Sequence, residues 1–241
     1  MPDRIENSDG STTQPAKQER PHVDRKARLL LEPNFPVKQP AEVRNNNWDE
    51  VFHLFDEETA KAEATRCIQC PAAPCITACP VSNDIPGAFW QLEQGDFNGA
   101  ANIFRETNEL PEVCGRICPQ ERLCEGHCVV GKKNLPVAIG KLEAFVTEWQ
   151  RSNGSIPVAE IPPATGKRLA VIGSGPAGIG VAERIAIAGH QVVVYDAWPV
   201  AGGLLHYGIP NFKQNKSSIA AKIEDLCSLG VEFILDTHVG S

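Results

Sequence analysis

The sequence predicts two domains of different architecture, an N-terminal all-helical domain followed by an α/β domain. Eight of the nine cysteines lie between residues 67 and 128, in segments whose apolar residues recur with helical spacing. After about residue 166 the pattern changes to a buried-strand run, a glycine-rich turn and an apolar helix. The predicted parts are an arm at 1–47 that is disordered or draped over a partner, the helical domain at 48–151, a linker at 152–166 and the α/β domain at 167–241.

Composition argues against several classes of protein. A formal net charge of −7 lacks the excess of basic residues that binding to nucleic acid requires. No apolar run approaches the roughly 20 residues of a membrane-spanning helix, and the first residues lack the apolar region of a signal peptide. We therefore expect a cytoplasmic protein that binds neither nucleic acid nor membrane.

The arm and the helix starts can be located by residue type. The arm is rich in proline, asparagine, glutamine and charge, and its basic and apolar segment 25–31 is expected either to dock on another subunit or to anchor onto its own domain. Asp56 is expected to cap a helix that runs to Cys67, because its carboxylate can accept a hydrogen bond from the first turn. Further helices are predicted to begin after Asp84, after Asp96 and at Pro136, the last running to about Gln150.

The cysteines form two blocks that are typical of iron–sulfur ligation. The first, Cys67-Ile-Gln-Cys70-Pro-Ala-Ala-Pro-Cys75-Ile-Thr-Ala-Cys79-Pro80, resembles the ferredoxin run C-x2-C-x2-C-x3-C-P with a wider middle gap. In two-cluster ferredoxins the first three cysteines share a cluster and the cysteine before proline ligates the other. Cys67, Cys70 and Cys75 are therefore expected to share one cluster and Cys79 to belong to its neighbour. The second block, 114–128, is expected to fold back and supply further ligands.

Zinc and disulfides are the alternatives for these thiols. Structural zinc usually shows paired C-x2-C knuckles, of which the sequence has one, and disulfides need an oxidising compartment. Soft thiolates gathered in fours at this spacing favour iron–sulfur clusters. Cys227 lies apart in an apolar helical stretch and is predicted to be a core thiol.

A dinucleotide-binding fingerprint follows the linker. The strand 169–172 leads into Gly173-Ser174-Gly175-Pro176-Ala177-Gly178, then a helix, then a second strand, 191–195, that ends at Asp196. The three glycines permit a tight turn, the approach of a pyrophosphate to the helix N-terminus, and close packing of helix on strand. Asp196 is expected to accept a hydrogen bond from a ribose hydroxyl and to repel a 2′-phosphate, which predicts FAD or NAD(H) rather than NADP(H).

In this order, the two motifs resemble the small (beta) subunit of NAD(P)H-dependent glutamate synthase and its relatives. Those relatives include the N-terminal half of dihydropyrimidine dehydrogenase and the flavin subunit of NADH-dependent ferredoxin:NADP oxidoreductases. The residues that carry the resemblance are 58–70, 114–119, 137–140, 195–196, 202–205 and 208–210. The resemblance implies an all-helical domain with two 4Fe-4S clusters, followed by the first part of a Rossmann-like FAD-binding domain.

The resemblance also implies the residues that hold each group. One cluster takes Cys67, Cys70, Cys75 and Cys128. The other takes Cys79, Cys118, Cys124 and Glu143. Cys114 is then unligated, although spacing alone favours Cys114 over Glu143, so the two interpretations differ here. FAD would lie against Gly173, Ser174, Gly175, Pro176, Ala177, Gly178, Asp196, Gly203 and Leu204.

The activity implied is that of an oxidoreductase subunit that takes electrons from NAD(P)H to a large subunit, which makes glutamate from glutamine and 2-oxoglutarate. The alternatives are the corresponding subunit of a ferredoxin:NADP oxidoreductase or of dihydropyrimidine dehydrogenase, and a non-catalytic cluster-bearing adaptor. Family members continue with a second dinucleotide-binding domain for NAD(P)H, so this chain is expected to be part of a longer protein. No side chain is expected to act as a general acid, base or nucleophile, and His127 is expected to tune or pack.

Overall fold

The computed structural model describes residues 21–154, 156–157 and 161–240. Within them, one compact unit comprises 21–36, 54–111 and 118–154, and a second comprises 37–53, 112–117, 156–157 and 161–240. The first helices are α1 (Arg25–Arg28), α2 (Ala41–Arg44), α3 (Glu57–Thr65), α4 (Pro74–Ala78), α5 (Ile85–Glu93), α6 (Phe97–Arg105), α7 (Pro111–Ile117) and α8 (Ile139–Ser152). Short 3₁₀ turns span Gln120–Arg122 and Val129–Lys132.

Three aspartates begin the helices of the first unit where the sequence predicts. The carboxylate of Asp56 accepts a hydrogen bond from the Thr59 amide at 2.8 Å at the start of α3. Asp84 and Asp96 cap α5 and α6 in the same way, each accepting from a glycine amide three residues on. Each cap satisfies one of the amides that a helix N-terminus leaves without an intrahelical partner.

The helix predicted from Pro136 begins three residues later, at Ile139, and ends at Ser152. The buried pair Glu63 and Arg66 explains this difference. The Arg66 guanidinium donates to the Pro136 carbonyl at 3.2 Å, and the Ala138 amide donates to Glu63 Oε1 at 2.9 Å. The backbone groups of 136–138 are therefore bonded to α3 and its C-cap instead of extending α8.

Aromatic side chains fill the core between the longer helices. Phe97 meets Phe145 edge-on, with ring centroids 5.5 Å apart, and Phe89 meets Phe104 in the same manner at 6.4 Å. Edge-to-face pairs of this kind contribute more than their buried area alone. The core thus joins α5, α6 and α8 beside the loops that carry the cysteines.

The arm predicted at 1–47 to be disordered or draped over a partner forms α1 and α2 over its described residues and contacts the rest of its own chain. Residues 21–36 lie on the first unit, where the Arg28 guanidinium forms a two-point ion pair with Glu93. Residues 37–53 belong to the second unit, with an antiparallel bridge between Lys38 and Phe52. The basic segment thus anchors onto its own chain, and the part of the predicted arm at 1–20 lies outside the described residues.

The second unit contains a parallel sheet with the order β1-β2-β3. Its elements are β1 (Arg168–Ile172), α9 (Pro176–Ile187), β2 (Gln191–Tyr195), α10 (Leu204–Tyr207), α11 (Ser217–Ser228) and β3 (Glu232–Ile234). The register pairs Arg168 with Gln191 and Ile172 with Tyr195. This strand, helix and strand arrangement is the one the glycine fingerprint predicts.

Two predictions for the second unit are wrong. β1 is not a buried strand, because it is an edge strand among the described residues and Ile172 at its end is 60% exposed. Cys227 is not a core thiol, because it lies on the exposed face of α11 next to the buried Leu226. No helix in the described ranges is long and apolar enough to cross a membrane.

Candidate functional site: a thiol-lined cavity and a glycine-rich helix N-terminus

The first three cysteines lie where α3 ends and α4 begins. α3 ends at Thr65, and Cys67 and Cys70 follow in a loop that turns through Gln69 at a φ of 50°. A side chain in this left-handed region is strained, and Gln69 is held there because its fully buried amide donates to the Pro86 carbonyl at 2.8 Å. Cys75 follows in the first turn of α4.

Four of the predicted ligands line one cavity in the first unit. They are Cys67, Cys70, Cys75 and Cys128, the last from the second cysteine block. His127 also lines the cavity, beside these cysteines, as expected for a residue that tunes or packs against a cluster. The rest of the lining is apolar: Ile68, Pro74, Ile85, Pro86, Phe89, Val129, Val130, Val137 and Ile139. Soft donors in an apolar pocket fit an iron–sulfur cluster, which needs thiolate ligands and protection from solvent.

Burial is the largest cause of raised pKa values at three of these thiols, Cys67, Cys70 and Cys75. Burial, and then the negative charge of neighbouring cysteines, raises the pKa of both Cys67 and Cys75 to about 12. The pKa of Cys70 is also raised by burial, and the positive charge of Arg25 opposes this shift. Cys67, Cys70 and Cys75 are therefore protonated in the metal-free chain, and any metal that binds these three thiols must displace protons.

A second group of predicted ligands lies around the buried Glu143 on α8. Burial is the largest cause that raises the pKa of the Cys124 thiol. The negative charges of Glu125, Glu143 and Cys79, which lie near enough to act on this thiol, raise its pKa further. Cys118 belongs to this same unit, whereas Cys114 on α7 belongs to the second unit. Among the described residues, no three His, Cys, Asp or Glu side chains are grouped closely enough for a single metal ion.

Two amides orient the Glu143 carboxylate. Asn108 Nδ2 donates to Glu143 Oε1 at 3.0 Å, and Asn83 Nδ2 approaches the same oxygen at 3.4 Å. The orientation of both amides is fixed, because their carbonyl oxygens accept from the Leu110 amide and the Thr107 hydroxyl respectively. Sequence reasoning missed both asparagines, because nothing in their local spacing relates them to a residue 35 or 60 positions away.

The glycine fingerprint forms the N-terminus of α9 in the second unit. Gly173 has a φ of 94°, and a Cβ on Gly178 would lie 1.9 Å from the Gly173 carbonyl oxygen, so neither position tolerates a side chain. A Cβ on Gly175 would meet nothing within 4 Å, and no side chain caps α9. Open space over uncapped amides at a helix N-terminus fits a pyrophosphate.

The predicted ribose ligand, Asp196, lies against this loop. Its Oδ2 accepts from the Ser174 amide at 2.7 Å and the Ser174 hydroxyl at 2.6 Å, and its Oδ1 accepts from the Trp198 amide. Burial acts to raise the pKa of Asp196, but these hydrogen bonds outweigh it and the pKa is lowered. A carboxylate has about four lone-pair positions, so three donors leave capacity for a ribose hydroxyl.

A second glycine turn packs on the first. Gly203 has a φ of 52°, and a Cβ on it would lie 2.7 Å from the Gly175 Cα. The Gly202 amide donates to both the carbonyl and the hydroxyl of Ser174. The exposed Leu204 follows at the start of α10, so all the predicted FAD-binding residues lie in one region of this unit.

Comparisons with known proteins identify relatives for most of the chain. Residues 44–155 match a family model described as dihydropyrimidine dehydrogenase domain II, 4Fe-4S cluster. The glutamate synthase [NADPH] small chain of Escherichia coli K12 is 40% identical over 205 residues, which are 85% of this chain and 43% of that protein. The corresponding small chain of Azospirillum brasilense is 38% identical, over 86% of this chain and 43% of that protein.

A relative with a different name is also similar. The putative oxidoreductase AegA of Escherichia coli K12 is 36% identical over 228 residues, which are 93% of this chain and 35% of that protein. The chain spans less than half the length of these curated relatives. The predicted resemblance is confirmed, and the chain is a relative of the glutamate synthase small chain over 85% of its own length.

Proposed function

We propose that this chain is the electron-entry part of an NAD(P)H-dependent glutamate synthase, carrying two 4Fe-4S clusters and FAD. In the complete cytoplasmic protein it would serve a large subunit that makes glutamate from glutamine and 2-oxoglutarate. The observation that carries the proposal is the convergence of Cys67, Cys70, Cys75 and Cys128 on one apolar cavity, in a chain 40% identical to a glutamate synthase small chain. When bound, FAD would supply the chemistry that accepts two electrons as a hydride and releases them one at a time, and the clusters would carry these electrons to the large subunit.

The four thiols around the cavity are the proposed ligands of the first cluster. Three come from the segment between α3 and α4, and Cys128 joins them from the second block. The raised pKa values of Cys67, Cys70 and Cys75 mean that metal binding to them releases protons, and the apolar lining excludes water from the thiolates once formed. This division of the ligands between two blocks is what the interleaved pattern in the sequence predicts.

The second proposed set is Cys79, Cys118, Cys124 and Glu143. Support for Glu143 comes from its buried position and from the two side-chain amides that donate to Oε1 and fix the orientation of the carboxylate. A carboxylate that Asn83 and Asn108 hold in one orientation can present its other oxygen to a metal. Cys114 is the competing fourth ligand, because it lies within the spacing of the second cysteine block.

The second unit supplies the proposed FAD site. The amides at the N-terminus of α9 would bind the pyrophosphate above Gly175, and Asp196 Oδ1 would accept a hydrogen bond from the ribose. Ser174 holds Asp196 in place through two hydrogen bonds. The residues at 173–178, Asp196, Gly203 and Leu204 thus remain the proposed contacts with the cofactor.

The similarity to AegA favours a second candidate, the corresponding module of another oxidoreductase with a different electron acceptor. That relative matches 93% of this chain, more than the small chains do. The two candidates share the same clusters and flavin and differ only in the partner. An assay of acceptors therefore separates them better than any feature of this chain.

The test is anaerobic oxidation of NADPH by the complete gene product, purified together with its native partners. One reaction contains glutamine and 2-oxoglutarate, and the other contains oxidised ferredoxin. Turnover with the first pair, with glutamate formed in proportion to NADPH, is the expected result. Turnover with ferredoxin alone would reject glutamate synthase and favour the second candidate, and a purified protein without flavin or iron would reject both.

A further inference from the structure

The basic segment of the arm, singled out in the sequence, contacts the backbone of the first cysteine loop. Arg25 Nε donates to the Ile68 carbonyl at 3.1 Å, and Arg25 Nη2 donates to the Gln69 carbonyl at 3.3 Å. Arg28 Nη1 donates to the Cys67 carbonyl at 2.9 Å. Two guanidinium groups therefore bind three consecutive carbonyls of the segment that carries two proposed cluster ligands.

The two arginines differ in their net charge at the loop. Arg28 is neutralised, since it forms a two-point ion pair with Glu93 at 2.7 and 2.8 Å, and both side chains are 12% exposed. Arg25 forms no ion pair with any residue in the described part of the chain. Arg28 thus fixes the position of the Cys67 carbonyl, and Arg25 adds a positive charge that no carboxylate of the described residues pairs with.

The loop needs such support because its conformation is unfavourable. Gln69 has a φ of 50°, a region that residues other than glycine rarely adopt, and its side-chain amide donates to the Pro86 carbonyl. The arginines thus hold the carbonyls of the loop, and Pro86 holds the side chain of Gln69. A ligand loop held in this way keeps its thiolates in one arrangement when the cluster changes charge.

We propose that Arg28 positions the Cys67–Cys70 loop and that Arg25 raises the reduction potential of the first cluster by its positive charge. The inference rests on the proposed function, since it requires a cluster on Cys67, Cys70, Cys75 and Cys128. Reduction adds negative charge to a cluster, and a fixed cation beside the ligand loop favours the reduced form. The arm is then part of the electron-transfer site.

Lys26 provides a matched control for the charge. It lies next to Arg25 on α1, and both residues are exposed; the backbone amide of Lys26 donates to Asp24 within the helix cap. Replacing either residue by glutamine removes one positive charge from the same four-residue helix, but only Arg25→Gln also removes the contacts with the loop. Arg25→Lys restores the charge without the planar two-donor contact.

The experiment is a redox titration followed by EPR on the complete, anaerobically purified protein, with the two cluster signals assigned by Cys128→Ala and Cys124→Ala. Arg25→Gln is expected to lower the potential of the first cluster; because the exposed charge of Arg25 is partly screened by solvent, the ratio of reduced to oxidised forms at fixed potential should change about threefold, which is about 28 mV. Arg25→Lys and Lys26→Gln are expected to stay near the wild type. Arg28→Gln is expected to reduce the iron bound at the first cluster, because Cys67 loses its support.

Three results would overturn the inference: no shift in Arg25→Gln, equal shifts in Arg25→Gln and Lys26→Gln, or equal shifts of both clusters. If Arg25→Gln fails to bind the first cluster, the reduction potential of that cluster in Arg25→Lys decides. A potential equal to that of the wild type supports the charge effect, and a lower potential refutes it. A wild-type protein without iron–sulfur signals would instead reject the proposed function itself. The two failures are therefore distinguishable.

Discussion

Replacing Arg66 by methionine is expected to lower the free energy of unfolding by about 3–5 kcal/mol, the range for removing one partner of a buried ion pair. The side chains of Arg66 and Glu63 are both 0% exposed, and Arg66 Nη1 lies 2.6 Å from Glu63 Oε1. The same guanidinium also donates to the carbonyls of Leu31, Leu135 and Pro136. Methionine fills similar volume but satisfies none of these acceptors.

The cost arises mainly from the charge left behind. Glu63 would keep the backbone amides of Asn34, at 2.7 Å, and Ala138, at 2.9 Å, as donors, while its side chain is 0% exposed. The double variant Glu63→Gln/Arg66→Met removes that charge and is expected to recover about 0.5–3 kcal/mol, the usual coupling between residues in contact. Arg66 directly precedes Cys67 and Glu63 lies one helical turn earlier, so the loss also loosens the first proposed ligand.

Thermal unfolding of the anaerobic protein, followed by circular dichroism, measures the effect. For a chain of this size, a loss of about 3–5 kcal/mol corresponds to a decrease in Tm of roughly 6–20 °C. The double variant should melt between Arg66→Met and the wild type. A Tm for Arg66→Met within about 2 °C of the wild type, or a double variant less stable than the single one, would refute the reasoning.

Further predictions concern the second cluster and the flavin. Glu143→Gln is expected to lower the iron and sulfide content and to alter the EPR signal of the second cluster, whereas Cys114→Ala should retain both; the reverse pattern would make Cys114 the ligand. Gly178→Ala is expected to abolish flavin binding, because its Cβ would lie 1.9 Å from a backbone carbonyl oxygen and push α9 away from the loop. Gly180 lies on the same helix, and a Cβ at this position would meet nothing within 4 Å. Gly180→Ala should therefore bind flavin normally, and its free energy of unfolding should rise by about 0.5–1 kcal/mol. Equal loss of flavin in both variants would contradict this account.

Features set by local chemistry could be predicted from the sequence. Asp56, Asp84 and Asp96 start helices as predicted, because a cap depends on an acceptor and an amide two or three residues away. The strand, turn and helix at 168–187 also follow from local pattern. Ligand roles for the cysteines remain proposals; Cys67, Cys70 and Cys75 line one cavity as their spacing predicts, and Cys128 lines it as the family resemblance implies.

Features set by distant contacts could not be predicted in this way. The start of α8 depends on Glu63 and Arg66, which lie about 70 positions earlier in the chain. The arm is ordered by carbonyls and a carboxylate supplied by residues 39 to 65 positions away, which its composition does not reveal. Cys227 is exposed although its segment is apolar, because the helix turns Leu226 inward in its place.

The central claim is that thiols from both cysteine blocks hold one cluster, and Cys128→Ala tests it most directly. EPR of the reduced, anaerobically purified protein, with iron and sulfide quantified, compares this variant with Cys227→Ala, which removes an exposed thiol. The account predicts that Cys128→Ala loses the signal and iron of one cluster while the other remains, and that Cys227→Ala is unchanged. Two intact cluster signals in Cys128→Ala, or zinc in place of iron in the wild type, would contradict it.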